Sequence, residues 1–309
     1  MVKNSPKIEH SPTTSKEKSI EKTKDRNARR INKLIEVTPE QKKLIEFLNT
    51  KWLSAKGIQE VLHIGEREGG AEWEIDEGET KFKIWVVSDT HLWAKTCRIK
   101  ELEDFYKKAR REGVRRFFHA GDLADWMGGV YKWQLNELAV FGTDDCLKFV
   151  QTNYPNPHGD CITEFITGNH DEDFLNKWGV NFWDAVEKVR EDMHHLWLYD
   201  STVKLNGVNV QLHHWAGGGS YAKSYKIQKY VEAIPPKRKP DVYILGHYHW
   251  SLYIVVQGVH ALLPSSFQST SPFAVRLGLE ENIGGYIIEI ETTPTGEIRS
   301  FAPKYISYS

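Results

Sequence analysis

Lys81-Phe82-Lys83-Ile84-Trp85-Val86-Val87-Ser88-Asp89-Thr90-His91 is an apolar run that ends abruptly in an acid and an imidazole. Its β-branched and aromatic residues predict a strand, and the polar residues after it fall where a strand gives way to a loop. A helical stretch from about Arg98 to Glu112 comes next, then a second strand-like run, Arg116-Phe117-Phe118. The alternation continues with runs at Ile162 to Ile166, Val208 to Leu212 and Val242 to Leu245, separated by helical segments near 131–151, 181–193 and 221–234. Leu252 to Val256, Val259 to Leu263 and Tyr286 to Ile290 add β-formers with little helix between them. Strands alternating with amphipathic helices specify an α/β domain over residues 81–309.

Residues of metal-binding type sit at the downstream ends of five of these runs, the edge where open α/β sheets bind ligands. They are Asp89-Thr90-His91, Gly121-Asp122-Leu123-Ala124-Asp125, Gly168-Asn169-His170-Asp171, His213-His214 and Gly246-His247-Tyr248-His249. A single strand-end Asp is ordinarily a helix cap and a single His a core residue. Five such blocks in order, each after its own apolar run, point to one composite centre.

The five blocks resemble the D-x-H, G-D-x-x-D, G-N-H-[DE], H and G-H-x-H pattern of the calcineurin-like metallophosphoesterase superfamily, over roughly residues 81–290. The resemblance implies a sandwich of two mixed β-sheets flanked by helices, with a two-metal centre at one edge. It places one metal on Asp89, His91, Asp122 and His249, and the other on Asp122, Asn169, a His of the fourth block and His247. Asp122 is then the bridging carboxylate, a hydroxide between the ions the nucleophile, and His170 the acid that protonates the leaving oxygen. In the fourth block His214 is favoured over His213, being in phase with Val208, Val210 and Leu212 and the last residue before Trp215-Ala216-Gly217. Asp125 is expected to steady the centre rather than to bind metal. Two cations about 3.5–4 Å apart can acidify a shared water and stabilise charge during in-line displacement. Mixed imidazole and carboxylate donors suit Mn, Fe or Zn better than Ca or Mg, and Mn²⁺ is the expected ion.

Two features beside these blocks bear on substrate. Gly217-Gly218-Gly219-Ser220 runs toward a helical stretch, Tyr221 to Ile234, carrying Lys223, Lys226 and Lys229; amides of a glycine loop at a helix N-terminus can receive a phosphate, and a tight turn is the plainer alternative. Trp93, Trp126, Trp215 and Trp250 lie within a few residues of a motif and are expected on the rim of the cleft. Rim aromatics can stack bases, although a Trp at a strand end more often packs.

Protein Ser/Thr phosphatases of the superfamily carry G-D-x-x-D-R-G and G-N-H-E, whereas this chain reads Trp126-Met127 after Asp125 and Asp171 after His170. The blocks are closer to the nuclease and phosphodiesterase branches, which include repair exonucleases and the small subunit of archaeal replicative polymerases. A metal-dependent phosphodiesterase or nuclease acting on DNA is the expected function. The alternatives are a small-molecule (nucleotide) phosphatase or phosphodiesterase, and a non-catalytic accessory subunit of a DNA-processing complex.

The remaining chain bounds these readings. With 309 residues, 40% hydrophobic and 27% charged, the composition is that of a globular protein with ample core, and a formal net charge of -1 advertises no chain-wide affinity for polyanions. Three cysteines without C-x-x-C spacing argue against a disulfide framework or thiolate zinc site, and three free thiols in a cytoplasmic protein are expected. No run approaches a membrane span of roughly 18 apolar residues. Residues 1–36 read as a flexible basic tail. Residues 37–80 read as a small module, helical from Thr38-Pro39-Glu40-Gln41 onward and resembling a winged helix, with Trp73-Glu74-Ile75 in a hairpin. This extension could contact DNA or a protein partner, but its acids, Glu66 to Glu79, would repel phosphates.

Overall fold

The computed structural model describes residues 73–75, 79–125, 132–155, 161–215, 217–278 and 282–309. The expectations for the basic tail, for all of the 37–80 module except its end, and for Trp126 lie outside them. In chain order the elements are β1 (Trp73–Ile75), β2 (Lys81–Val87), α1 (Ile99–Arg111), β3 (Arg116–His119), α2 (Thr143–Asn153), β4 (Ile162–Thr167), α3 (Phe182–Val189), β5 (Met193–Leu198) and β6 (Asp200–Leu205). There follow β7 (Val208–His213), α4 (Tyr225–Ala233), β8 (Val242–Leu245), β9 (Ser251–Val256), β10 (Val259–Pro264), α5 (Pro272–Leu277), β11 (Gly284–Thr292) and β12 (Ile298–Ser307).

The strands form two six-stranded mixed sheets, ordered β12-β11-β2-β3-β4-β5 and β1-β6-β7-β8-β10-β9. In the first, β2 through β5 are parallel, and β11 and β12 close the side antiparallel. In the second, β7, β8 and β10 are parallel, and β1 lies along β6 in parallel as an edge strand. Trp73–Ile75 is thus a strand of this sheet.

Period-two alternation assigns each strand face to a layer. Ile84, Val86, Phe118 and Ile288 face inward between the sheets, against Val203, Val210, Leu212 and Ile244. Trp85, Val87 and Phe117 point the other way, into a second core beneath α1, α2 and α3 that holds Leu102, Phe105, Val150 and Val186. Ile227 and Val231 of α4 cover the outer face of the other sheet at Tyr243, Leu245 and Ala261. The result is a two-sheet sandwich flanked by helices, as the resemblance implied.

Some elements depart from the sequence reading. The helix expected near 131–151 is a short 3-10 turn at Lys132–Glu137 followed by α2. The segment expected helical over 181–193 ends at Val189 and turns into β5. There Arg190 binds Asp192 through two nitrogens, at 2.7 and 2.6 Å. It also donates to the carbonyls of Val150, Tyr154 and Pro155 at the end of α2. All three cysteines are free thiols, as expected. Among the described residues no helix is long and apolar enough to cross a membrane.

Candidate metal centre

All five blocks meet at one edge of the sandwich, beyond the C-terminal ends of β2, β3, β4, β7 and β8. The turns there are tight. Asp89, His91, Asp122, His247 and His249 all have left-handed backbone, with φ of 51°, 44°, 53°, 87° and 55°. Such conformations cost non-glycine residues about 1–3 kcal/mol each and persist only where neighbours impose them. Here Asp89 N–H donates to the Gly121 carbonyl at 3.0 Å and His91 N–H to the Asp122 carbonyl at 3.1 Å, tying the first two loops together. The backbone N–H of His247 donates to both Asp89 oxygens, at 3.1 and 3.0 Å.

Two motif glycines are required by close approach. A Cβ on Gly168 would lie 2.1 Å from Asp122 Oδ1, and one on Gly246 would lie 2.2 Å from the Ala120 carbonyl and 2.6 Å from His214 Nδ1. Glycine here is what lets the loops close on the carboxylate and the imidazole.

Two donor groups result. In the first, His249 Nε2 lies 3.3 Å from Asp89 Oδ1 and 3.1 Å from His91 Nε2. In the second, His214 Nε2 lies 3.2 Å from Asp122 Oδ2 and 3.1 Å from Asn169 Oδ1, and His247 Nδ1 lies 2.9 Å from the same Asn169 oxygen. Asp89, His91 and His249 converge closely enough to share one ion, as do Asp122, His214 and His247. Ring nitrogens directed at each other and at carboxylates fit cations in both places, and mixed N and O donors fit transition ions.

The imidazoles are oriented from behind. His214 Nδ1 donates to the Ala120 carbonyl at 2.7 Å, leaving Nε2 as the ligand atom. His247 Nε2 donates to the Gly217 carbonyl at 2.8 Å, which leaves Nδ1 facing Asn169. His213 points the opposite way, hydrogen-bonded to the Tyr243 hydroxyl and edge-on to Tyr230 and Trp215.

His170 belongs to neither group, though its ring meets His91 edge-on at 4.5 Å and could join Asp122 and His91 about a shared point. Its backbone N–H donates to Asp122 Oδ1 at 2.8 Å, and its Nδ1 pairs with Asp125 Oδ1 at 2.9 Å. Nε2 then faces the centre, 3.8 Å from Asp122 Oδ2, on a side chain that remains 19% exposed.

The electrostatics are those of a cation site. Burial by itself would lower His91, but Asp125 beside it, reinforced by Asp122 and Asp89, holds it at about 9. Burial likewise opposes protonation of His214, yet Asp122 and Asp89 raise it to about 9. Asp89 and Asp122 are held well below the usual carboxylate range by surrounding imidazoles, against the effect of burial. Burial lowers His170, with Asp122 and Asp125 acting in the opposite sense.

Asp171 has a role the motif alone did not reveal. Its carboxylate accepts from the backbone N–H of Ala124 at 2.7 Å, Leu123 at 3.3 Å and Gly168 at 2.8 Å, pinning the β3 loop to the β4 loop. The only hint in the sequence is an acid following His170. Two rim expectations change. Trp93 is fully buried, edge-on to Phe174 and Phe182, so it is core. Helix α4 begins at Tyr225, several residues past the glycine loop, so that loop is not a helix N-terminus; Gly217 instead accepts from His247. Trp215 and Trp250 do remain near the surface.

The model of the calcineurin-like phosphoesterase superfamily domain matches residues 82–273. No curated protein sequence matches the chain. Among solved structures, an archaeal phosphodiesterase is 14% identical, covering 73% of this chain and 100% of that one, with a TM-score of 0.40. A conserved uncharacterized protein from Streptococcus pneumoniae, described as a predicted phosphoesterase, is 15% identical over 74% of this chain and 98% of its own, with a TM-score of 0.37. The zinc complex of wild-type Vps29 from Entamoeba histolytica is 13% identical over 74% of this chain and 100% of its own, also with a TM-score of 0.37.

Proposed function

Because the chain belongs to the calcineurin-like phosphoesterase superfamily, we propose that it is a two-metal phosphodiesterase that cleaves DNA. The observation that carries the hydrolytic part is His170, an imidazole outside both donor groups, locked through Nδ1 to Asp125 and opening to solvent beside Asp122. When bound, two divalent transition ions, Mn²⁺ foremost, supply Lewis acidity and an acidified water. Asp89, His91, Asp122 and His249 would hold one ion, and Asp122, Asn169, His214 and His247 the other, so Asp122 joins the halves. The acid is the imidazolium form of His170, which burial opposes and Asp122 and Asp125 favour; it gives its Nε2 proton to the leaving oxygen and is left as the neutral ring with Nδ1–H on Asp125. Burial pushes the thiols of Cys97 and Cys146 up to about 12, which argues against a thiolate nucleophile.

DNA as substrate is supported by block patterns closer to the nuclease and phosphodiesterase branches, and by the basic residues between Lys16 and Lys33. The test is cleavage of end-labelled single- and double-stranded DNA by metal-stripped protein reloaded with Mn²⁺, beside His170→Ala prepared identically. Degradation by the wild type that disappears in the variant is expected. Intact DNA alongside rapid hydrolysis of a nucleotide ester would transfer the activity to small phosphoesters.

A further inference from the structure

The segment from Trp215 to Lys239 carries six Lys and Arg residues against one acid, Glu232, in a chain whose formal net charge is -1. It also holds three of the large exposed rings among the described residues: Trp215 at 37%, Tyr225 at 51% and Tyr221 at 107% exposure. The start of the segment lies against the centre. Trp215 directly follows His214, and the Gly217 carbonyl accepts from His247 at 2.8 Å. Ile227 and Val231 face α4 into its core, which turns Tyr225 and Lys229 outward. Cations and rings are interleaved: Lys223 Nζ lies 5.6 Å above the Trp250 ring and Lys229 Nζ 5.8 Å above that of Tyr225.

Packing explains part of this surface, since Trp215 rests on Tyr230 with ring centroids 4.8 Å apart and Trp250 stacks on Tyr248 at 5.7 Å. It does not explain Tyr221, whose ring is wholly in water. Alternating lysines and exposed rings are the equipment for a flexible polyanion bearing flat bases: phosphates meet the ammonium groups and bases stack on the rings. A duplex hides its base faces and would use only the charge. Resting on the phosphodiesterase reading above, we propose that residues 215–229 form a platform for single-stranded polynucleotide, feeding the strand into the centre past His247.

The test is fluorescence anisotropy with labelled oligo(dT), oligo(U) and a blunt duplex, using full-length, Mn²⁺-loaded protein in a His170→Ala background that arrests cleavage. Single strands should bind more tightly than duplex, and the tighter of oligo(dT) and oligo(U) identifies the sugar preferred. Tyr221→Ala should weaken single-strand binding about tenfold, with Tyr221→Phe restoring it. Lys229→Glu should reduce the salt slope of log K by roughly 0.7, whereas Lys107→Glu on α1 should leave it unchanged. Equal affinity of Tyr221→Ala and the parent, preference for duplex, no measurable binding, or equal losses from the two lysine variants would each overturn the platform. Hydrolysis of bis(p-nitrophenyl) phosphate by the wild type reads the phosphodiesterase proposal separately. Failure there leaves the binding result to stand by itself.

Discussion

His170 and Asp122 touch, yet substitution separates their tasks. Asp122→Asn removes the carboxylate that groups with His214 and His247, so metal content and activity should fall together. His170→Ala should keep the metal content of the wild type by plasma mass spectrometry while kcat on a diester with a poor leaving group falls about 10²–10⁴-fold. Unaltered turnover on such a substrate would remove His170 from the chemistry. The protonation of the metal-free site adds a second test at this scale. His91 and His214, raised to about 9 by neighbouring carboxylates, hold protons at neutral pH that a metal must displace. Metal binding at pH 7.5 should therefore release about two protons, a number that declines as pH rises through 9 and beyond. Apparent metal affinity should rise over the same interval, and calorimetry in buffers of differing ionisation enthalpy measures both.

Between elements, loops rather than strands carry the stress. Gly246→Ala would force a methyl into the Ala120 carbonyl and the ring of His214. The variant should fold but lose metal affinity, because the β8 loop must move away from the site. Asp171→Ala leaves three backbone N–H groups at the β3 and β4 loops without their acceptor. A loss of about 3 kcal/mol in urea denaturation is expected from those orphaned donors, together with weaker metal binding. Arg190 does similar work away from the centre, joining the ends of α2 and α3 to the start of β5. Arg190→Ala takes the guanidinium away from the buried Asp192 carboxylate and from three carbonyls, and should cost about 3–5 kcal/mol with little change in metal content.

Across the whole molecule, stability resides in the layers and function in the edge where they meet. Ile84 and Ile288, paired across β2 and β11, are fully buried between the sheets at mid-strand. Ile288→Ala should cost about 2–5 kcal/mol by transfer and cavity effects while leaving kcat intact at permissive temperature. Gly70–Ser309 forms one compact unit. A protein starting at Gly70 keeps β1 on β6 and should retain its metals and small-diester activity, whereas one starting at Lys81 loses that edge strand. Thermal melts and metal analysis of the two truncations compare them directly; equal stability of both would make the β1 edge dispensable.

That the five blocks stand at strand ends and converge was legible in the sequence because each lies next to its strand, and strand, turn and side-chain type are local properties. The preference for His214 over His213 rested on phase with Val210 and Leu212; His214 does face Asp122 and Asn169, while His213 is hydrogen-bonded to Tyr243. β5, β6 and β12 were not legible. They lie toward the sheet edges, where half-exposed residues blur the alternation, and β12 carries Pro303, which an edge strand tolerates. Trp93 looked like a rim residue by its position in the chain and proved to be core, because burial depends on which helices fold over it. By itself, then, the sequence determined which residues could bind metal and at the ends of which strands they stand. Only the tertiary structure decided that Asp171 clamps two loops, that Asp125 aims His170 and that Tyr221 stands free in water. Those properties arise from contacts between segments distant in sequence, and no local pattern encodes them.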